Sequence, residues 1–242
     1  MNAIEIRGLT KKYKDVVAVD DLWLNVNKGE LLCLLGVNGA GKTTTIKMLS
    51  CLTSPTEGDA LLMGKSICQD AAEVKSLIAV SPQESAVAQG LTVRENLELI
   101  AGVHGFSKPK RDAKIEDLSS LLGLTEVMRR KAGNLSGGWQ RRLSIAMALI
   151  SDPQILFLDE PTLGLDVLAR SDLWDIIRTL KGNVTIILTT HNMEEAEALS
   201  DRIAIMKNGK LLLCETAEII KETAGCESFE AAFVRIVRGA VQ

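Results

Sequence analysis

No feature of this chain restricts its fold more than the run Gly36-Val37-Asn38-Gly39-Ala40-Gly41-Lys42-Thr43. A glycine, four residues and then Gly-Lys-Thr make a phosphate-cradling loop when a strand leads in and a helix leads out. Both flanks fit: Leu31–Leu35 is an unbroken apolar run, and Ile46, Leu49 and Leu52 recur near helical spacing, with Pro55 as the stop. The glycines let backbone N–H groups turn inward around a phosphate, the helix start adds partial positive charge, and Lys42 reaches toward β and γ oxygens. Thr43 offers its hydroxyl to Mg²⁺. The expected cofactors are ATP and Mg²⁺, with Asn38, Gly39, Ala40, Gly41, Lys42, Thr43 and Thr44 against the nucleotide. The competing reading is a plain glycine turn with a solvated lysine.

The rest of the chain reads as an α/β protein with a mainly parallel sheet. Apolar residues 155–158 precede a helix carrying Leu173, Ile176, Ile177 and Leu180, and residues 184–188 precede a helix over Met193–Leu199. An antiparallel β subdomain comes first, because Ile4 and Ile6 alternate with polar neighbours, as do Leu22, Leu24 and Val26 before the turn Asn27-Lys28-Gly29. Roughly residues 88–150 read as an inserted helical subdomain. Residues 202–242 read as a hairpin around Asn208-Gly209 and a helical tail. A length of 242 residues with 46% hydrophobic content suits one domain spanning 1–242.

Charge and cysteine content narrow the function classes. A formal net charge of −3 argues against a general attraction to phosphate backbones, and no nucleic-acid partner is expected. Arg141-Arg142 and Arg129-Arg130-Lys131 read as solvated basic faces. Cys33, Cys51, Cys68, Cys214 and Cys226 are odd in number and lack metal-ligand spacing, so reduced thiols in a cytoplasmic protein are expected. The start lacks a signal-peptide pattern, and no apolar run approaches the ~20 residues needed to cross a bilayer. Work at a membrane would need a separate anchor.

The apolar run 155–158 ends in Asp159-Glu160, at the strand end where ligands sit on parallel sheets. Asp159 is expected to face the metal. Neighbouring strand residues point to opposite faces, but Glu160 at the strand's end can turn toward the γ-phosphate as general base. A solvated turn is the bland alternative. His191, Gln83 and Tyr13 taken singly would be a surface histidine, a solvated glutamine and a sheet-packing aromatic.

Asn134-Leu135-Ser136-Gly137-Gly138-Trp139-Gln140, a helix's length upstream of the acidic strand, resembles the signature of ABC ATPases. The resemblance covers nearly the whole chain. Gln83 in Ser81-Pro82-Gln83-Glu84 is similar to the Q-loop glutamine, Gly164-Leu165-Asp166 to the D-loop, His191 to the switch histidine, and Tyr13 to the aromatic that stacks on adenine. Leu91-Thr92-Val93-Arg94-Glu95-Asn96-Leu97 and Ser228-Phe229-Glu230-Ala231-Ala232-Phe233 resemble the single-cassette ATPases of bacterial drug and sodium exporters. The resemblance implies a catalytic set of Glu160, His191, Gln83 and Lys42, and a metal set of Thr43, Gln83 and Asp159. It implies an ATP-hydrolysing transporter subunit, peripheral on the inner membrane face, that energises a separate integral membrane permease. Two cassettes, identical or not, would pair head to tail, so that Ser136, Gly137 and Gly138 of one face the γ-phosphate held by the other. Ser136 can also cap the helix that follows. Trp139, Met147 and Leu163 depart from the commonest family pattern. A soluble mechanical ABC ATPase acting on ribosomes or nucleic acid is the alternative, and a P-loop kinase would have no use for the signature or for His191.

Overall fold

The computed structural model describes residues 2–84 and 86–239. The strands are β1 (Asn2–Tyr13), β2 (Val16–Asn27), β3 (Leu31–Leu35), β4 (Glu57–Leu62), β5 (Lys65–Ser66), β6 (Ile78–Ser81), β7 (Ile155–Asp159), β8 (Thr185–Thr190), β9 (Arg202–Lys207) and β10 (Lys210–Glu215). The helices are α1 (Lys42–Leu49), α2 (Ala71–Leu77), α3 (Val93–Val103), α4 (Lys108–Leu121), α5 (Gly137–Leu149), α6 (Val167–Leu180), α7 (Met193–Leu199), α8 (Ala217–Ala224) and α9 (Phe229–Val237).

Two sheets organise these elements. One has four strands in the order β2-β1-β4-β5, all antiparallel; the other has six in the order β10-β9-β3-β8-β7-β6. In the larger sheet β9, β3, β8, β7 and β6 run parallel, and only β10 is antiparallel to its neighbour. Side chains alternate across each parallel strand, and both faces are covered. Leu31, Cys33 and Leu35 of β3, with Leu156 and Leu158 of β7, pack under helices α3 to α9. Leu32 and Leu34, with Ile155 and Phe157, face α1 and the antiparallel sheet. A strand buried on both faces needs apolar residues throughout, which is why these segments read as unbroken runs.

The hairpin falls where Asn208-Gly209 placed it. Lys207 pairs with Lys210, leaving a two-residue turn with φ of 49° and 79°, the left-handed pair a type I′ turn requires. This turn packs on the phosphate loop, with Gly209 N–H donating to Ala40 O at 3.1 Å.

Several boundaries differ from the sequence reading. Helix α1 ends at Leu49 rather than running to Pro55: the Ser50 hydroxyl donates to Ile46 O at 2.7 Å, and Cys51 adopts φ +56°. Leu52 is consequently exposed. Periodicity assigned nothing to β4 or β6, although β6 is the edge of the parallel sheet. Helix α3 opens with a capping box between Thr92 and Glu95, and buried Asn96 bonds both Ala88 N and Ala88 O, so this motif is a structural clasp. Of the expected tail, residues 240–242 lie outside the described residues. No described helix is long and apolar enough to cross a membrane.

Candidate nucleotide site

The loop after β3 is shaped by close backbone approach. At Gly41 φ is +104° and an added Cβ would lie 2.6 Å from Ala18 O, so only glycine fits. Helix α1 begins at the next residue, and the N–H groups of Lys42, Thr43 and Thr44 have no intrahelical acceptor, being in the first turn. They make the loop an anion seat. Lys42 is 6% exposed and folds over the loop, its ammonium donating to Gly36 O at 2.7 Å and lying 3.5 Å from Glu160 Oε1.

Strands β7 and β8 bring the remaining polar groups alongside. Asp159 Oδ1 accepts from Thr43 Oγ1 at 3.2 Å and from Thr189 Oγ1 at 2.5 Å. Glu160 adopts φ +48°, a conformation sparsely populated by non-glycine residues, while its N–H donates to Thr189 O at 3.1 Å. This turn resolves the alternation problem: Asp159 and Glu160 both approach the loop. Glu160 is buried, and its Oε2 lies 2.9 Å from Nδ1 of the half-exposed His191. Gln83, Glu160, His191 and Leu163 join residues 38–44 around a cleft of about 820 Å³.

The expected metal donors fit Mg²⁺. Thr43 and Gln83 line the cleft, and the buried Asp159 carboxylate accepts from the Thr43 hydroxyl; hydroxyl, carboxylate and amide oxygens are hard ligands, and Mg²⁺ commonly takes only one or two carboxylates beside substrate phosphates. Among the described residues no cluster of three His, Cys, Asp or Glu side chains suits a metal held by protein alone.

The structure does not bring every expected residue into the cleft. Tyr13, opposite Val16 at the β1–β2 turn, is 46% exposed, with Lys11 Nζ 5.0 Å from its ring centroid. Val16, Val17 and Ala18 form that wall instead. Ser136, Gly137 and Gly138 lie at the exposed start of α5 and do not line the cleft. Ser136 occupies the N-cap position in extended conformation, but its side chain makes no cap hydrogen bond, contrary to expectation. Trp139 is half-buried with Arg142 over its ring, Met147 packs on the core, and Leu163 is exposed at the cleft.

Sequence reasoning missed three participants. Arg141 is not on a solvated face: it is 4% exposed and donates to the carbonyls of Pro82, Gln83 and Glu160. Burial pulls its pKa below the ordinary arginine value. Arg141, Ser144 and Ile145 are buried at i, i+3 and i+4, so helical spacing could have placed Arg141 inward. Thr189 is the hub between Asp159 and Glu160. Glu195 is fully buried, accepting from Thr162 Oγ1 at 2.8 Å and Trp174 Nε1 at 3.1 Å, and burial pushes its carboxyl above the usual range.

A glycine loop between strand and helix, with two carboxylates at the end of a nearby parallel strand, defines a P-loop nucleotide-binding α/β protein. The chain belongs to the ABC transporter family, whose sequence model matches residues 19–163. It is 42% identical to ABC transporter A family member 2 of Arabidopsis thaliana over 92% of its length, but spans only 24% of that protein. Against the phospholipid-transporting ATPase ABCA3 of Homo sapiens it is 41% identical and spans 13%. It is 39% identical to the doxorubicin resistance ATP-binding protein DrrA of Mycobacterium tuberculosis, covering 92% of this chain and 68% of DrrA. A solved ATP-binding subunit of an ABC transporter superposes with TM-score 0.85 at 27% identity, covering 97% of this chain and 99% of that one. An ATP-binding cassette solved as a dimer in a post-hydrolysis state with ADP and Pi superposes with TM-score 0.79 at 27% identity, covering 88% and 98%.

Proposed function

We propose that this chain binds ATP with Mg²⁺ and hydrolyses it as the nucleotide-binding subunit of an exporter, paired head to tail with a second cassette and docked on a separate membrane permease at the cytoplasmic face. The observation that carries the hydrolytic reading is the junction of buried Lys42 and Glu160 with half-exposed His191 at the phosphate loop. Family membership and the solved relative with ADP and Pi support the same reaction, and DrrA's drug-resistance name supports export.

Each residue has a distinct task in this reading. The first-turn N–H groups and Lys42 hold phosphate oxygens, and Lys42 exchanges its contact with Gly36 O for them. Thr43, Asp159 and Gln83 would hold Mg²⁺, which when bound neutralises charge on the β and γ oxygens. Glu160 accepts a proton from water as the water oxygen bonds to γ-phosphorus and the bond to the ADP oxygen breaks. His191 holds the Glu160 carboxylate in place from the solvent side. The Ser136 hydroxyl, which does not cap its own helix, and the start of α5 form the donor surface offered to a facing cassette.

The deciding experiment follows phosphate release by the purified chain with ATP, with and without Mg²⁺. Stoichiometric ADP and phosphate, abolished by chelating Mg²⁺, is the expected result; ATP bound but never cleaved at any protein concentration would refute hydrolysis.

A further inference from the structure

Arg141 connects three segments that the proposed reaction needs to move together. From the first turns of α5 its Nη1 donates to Pro82 O at 2.5 Å, and its Nη2 donates to Gln83 O at 2.7 Å and to Glu160 O at 3.2 Å. All three acceptors are backbone carbonyls. Pro82 and Gln83 leave the sheet after β6, and Glu160 leaves after β7, its parallel neighbour, so two adjacent strand ends meet one guanidinium. A second tie joins the same helix to the same strand, where the Ser81 and Ser144 hydroxyls lie 2.9 Å apart in the core.

Burying a guanidinium is unfavourable unless its donors are satisfied, so these carbonyls are drawn to a common point. The planar fork spans both strand ends at once, which an ammonium on a flexible stem does less well. Glu160 also sits at φ +48°, a conformation that surrounding contacts must hold. We infer that Arg141 is a positioning residue that ties the Ser136 end of α5 to Gln83 and Glu160, so that a shift of this helix reaches the water-activating carboxylate. The inference rests on the hydrolytic reading above. Arg141 touches no phosphate in this scheme and acts through the backbone of the two residues it holds.

The test compares wild type with Arg141→Lys, Arg141→Met and Arg142→Gln, measuring affinity for a fluorescent ATP analogue and phosphate release against ATP concentration. Because a misplacement of about 1 Å costs roughly 10²-fold in rate, Arg141→Lys should keep nucleotide affinity within about twofold while kcat falls roughly 10- to 100-fold. Arg141→Met should lose at least as much turnover. Amide hydrogen exchange at residues 83, 84 and 160 should quicken in Arg141→Lys. Arg142→Gln removes a neighbouring cation that pairs with Asp172, and it should stay within about twofold of wild type, as expected of substitutions away from such junctions. An active wild type beside an equally active Arg141→Lys overturns the positioning role alone. Equal losses of affinity and turnover in Arg141→Lys, or a similar loss in Arg142→Gln, overturn it too. A wild type that releases no phosphate overturns the hydrolytic reading itself.

Discussion

Replacing Glu160 by Gln separates binding from hydrolysis, and the structure sets the size of each effect. The carboxylate is 7% exposed, 3.5 Å from Lys42 Nζ and 2.9 Å from His191 Nδ1. Gln preserves the shape and can still meet His191, but it cannot accept the proton of an attacking water. A positioned base contributes about 10²–10⁴ in rate, so kcat should fall at least ~100-fold, about 2.7 kcal/mol of barrier. The ground state responds in the opposite sense. Lys42 lies beside Glu160, and at an effective dielectric near 20 an attraction across this 3.5 Å gap is on the order of 4–5 kcal/mol before desolvation is subtracted. With desolvation offset, loss of the pair should destabilise the nucleotide-free chain by about 2 kcal/mol, or roughly 4–8 °C in Tm for a domain of this size. Bound phosphates give Lys42 a new partner, so that loss should shrink in the presence of ATP, and ATP affinity should hold or tighten. The assays are phosphate release and thermal melts with and without MgATP. A Glu160→Gln chain that keeps more than a tenth of wild-type turnover, or whose melting deficit does not shrink with MgATP, would refute this reasoning.

Three further substitutions test other parts of the site. Because Tyr13 lies at the β1–β2 turn outside the cleft lining, stacking on it requires that turn to close over the base. Tyr13→Ala should then weaken ATP binding by about 1–3 kcal/mol while Phe or Trp preserves it, and unchanged affinity by fluorescence titration would leave the Val17 wall as the base contact. Ser136→Arg should leave ATP bound to each chain while abolishing pairing and phosphate release, read by sizing chromatography with MgATP, and a dimer of normal activity would exclude the facing-cassette role. Glu195 has a folded-state pKa raised by burial, so as pH rises from the ordinary carboxyl range toward that higher value the unfolded chain loses its proton first and stability falls. Glu195→Gln removes this titration and should raise Tm more at pH 8 than at pH 5; an equal shift at both would show that Glu195 does not titrate on unfolding.

Local pattern made much of the site readable. The glycine run, the apolar strand ending in Asp159-Glu160, the helix Met193–Leu199 and the Asn-Gly hairpin each carry their reason in a few consecutive residues. Arg141 was misread because two adjacent arginines suggest solvation; its spacing from Ser144 and Ile145 on α5 marks the inward face, and the packing of α5 against the β6 end decides which carbonyls it meets. Leu52 was misplaced because apolar spacing continued past the residue where Ser50 and Cys51 turn the chain.

The sequence by itself determined that a phosphate loop lies between strand and helix, since backbone N–H groups can surround an anion only with glycine at positions such as Gly41. It also determined a parallel sheet covered on both faces, because strands without a polar side have no surface to give to water. Tertiary structure alone decided which groups meet. Thr43, Asp159 and Thr189 come from three separate segments, as do Lys42, Glu160 and His191. Their distances follow from strand order β3-β8-β7 and from the left-handed turn at Glu160. No local signal encodes either, because strand neighbours are chosen by the fit of whole faces, and a strained backbone angle persists only where the surrounding contacts hold it.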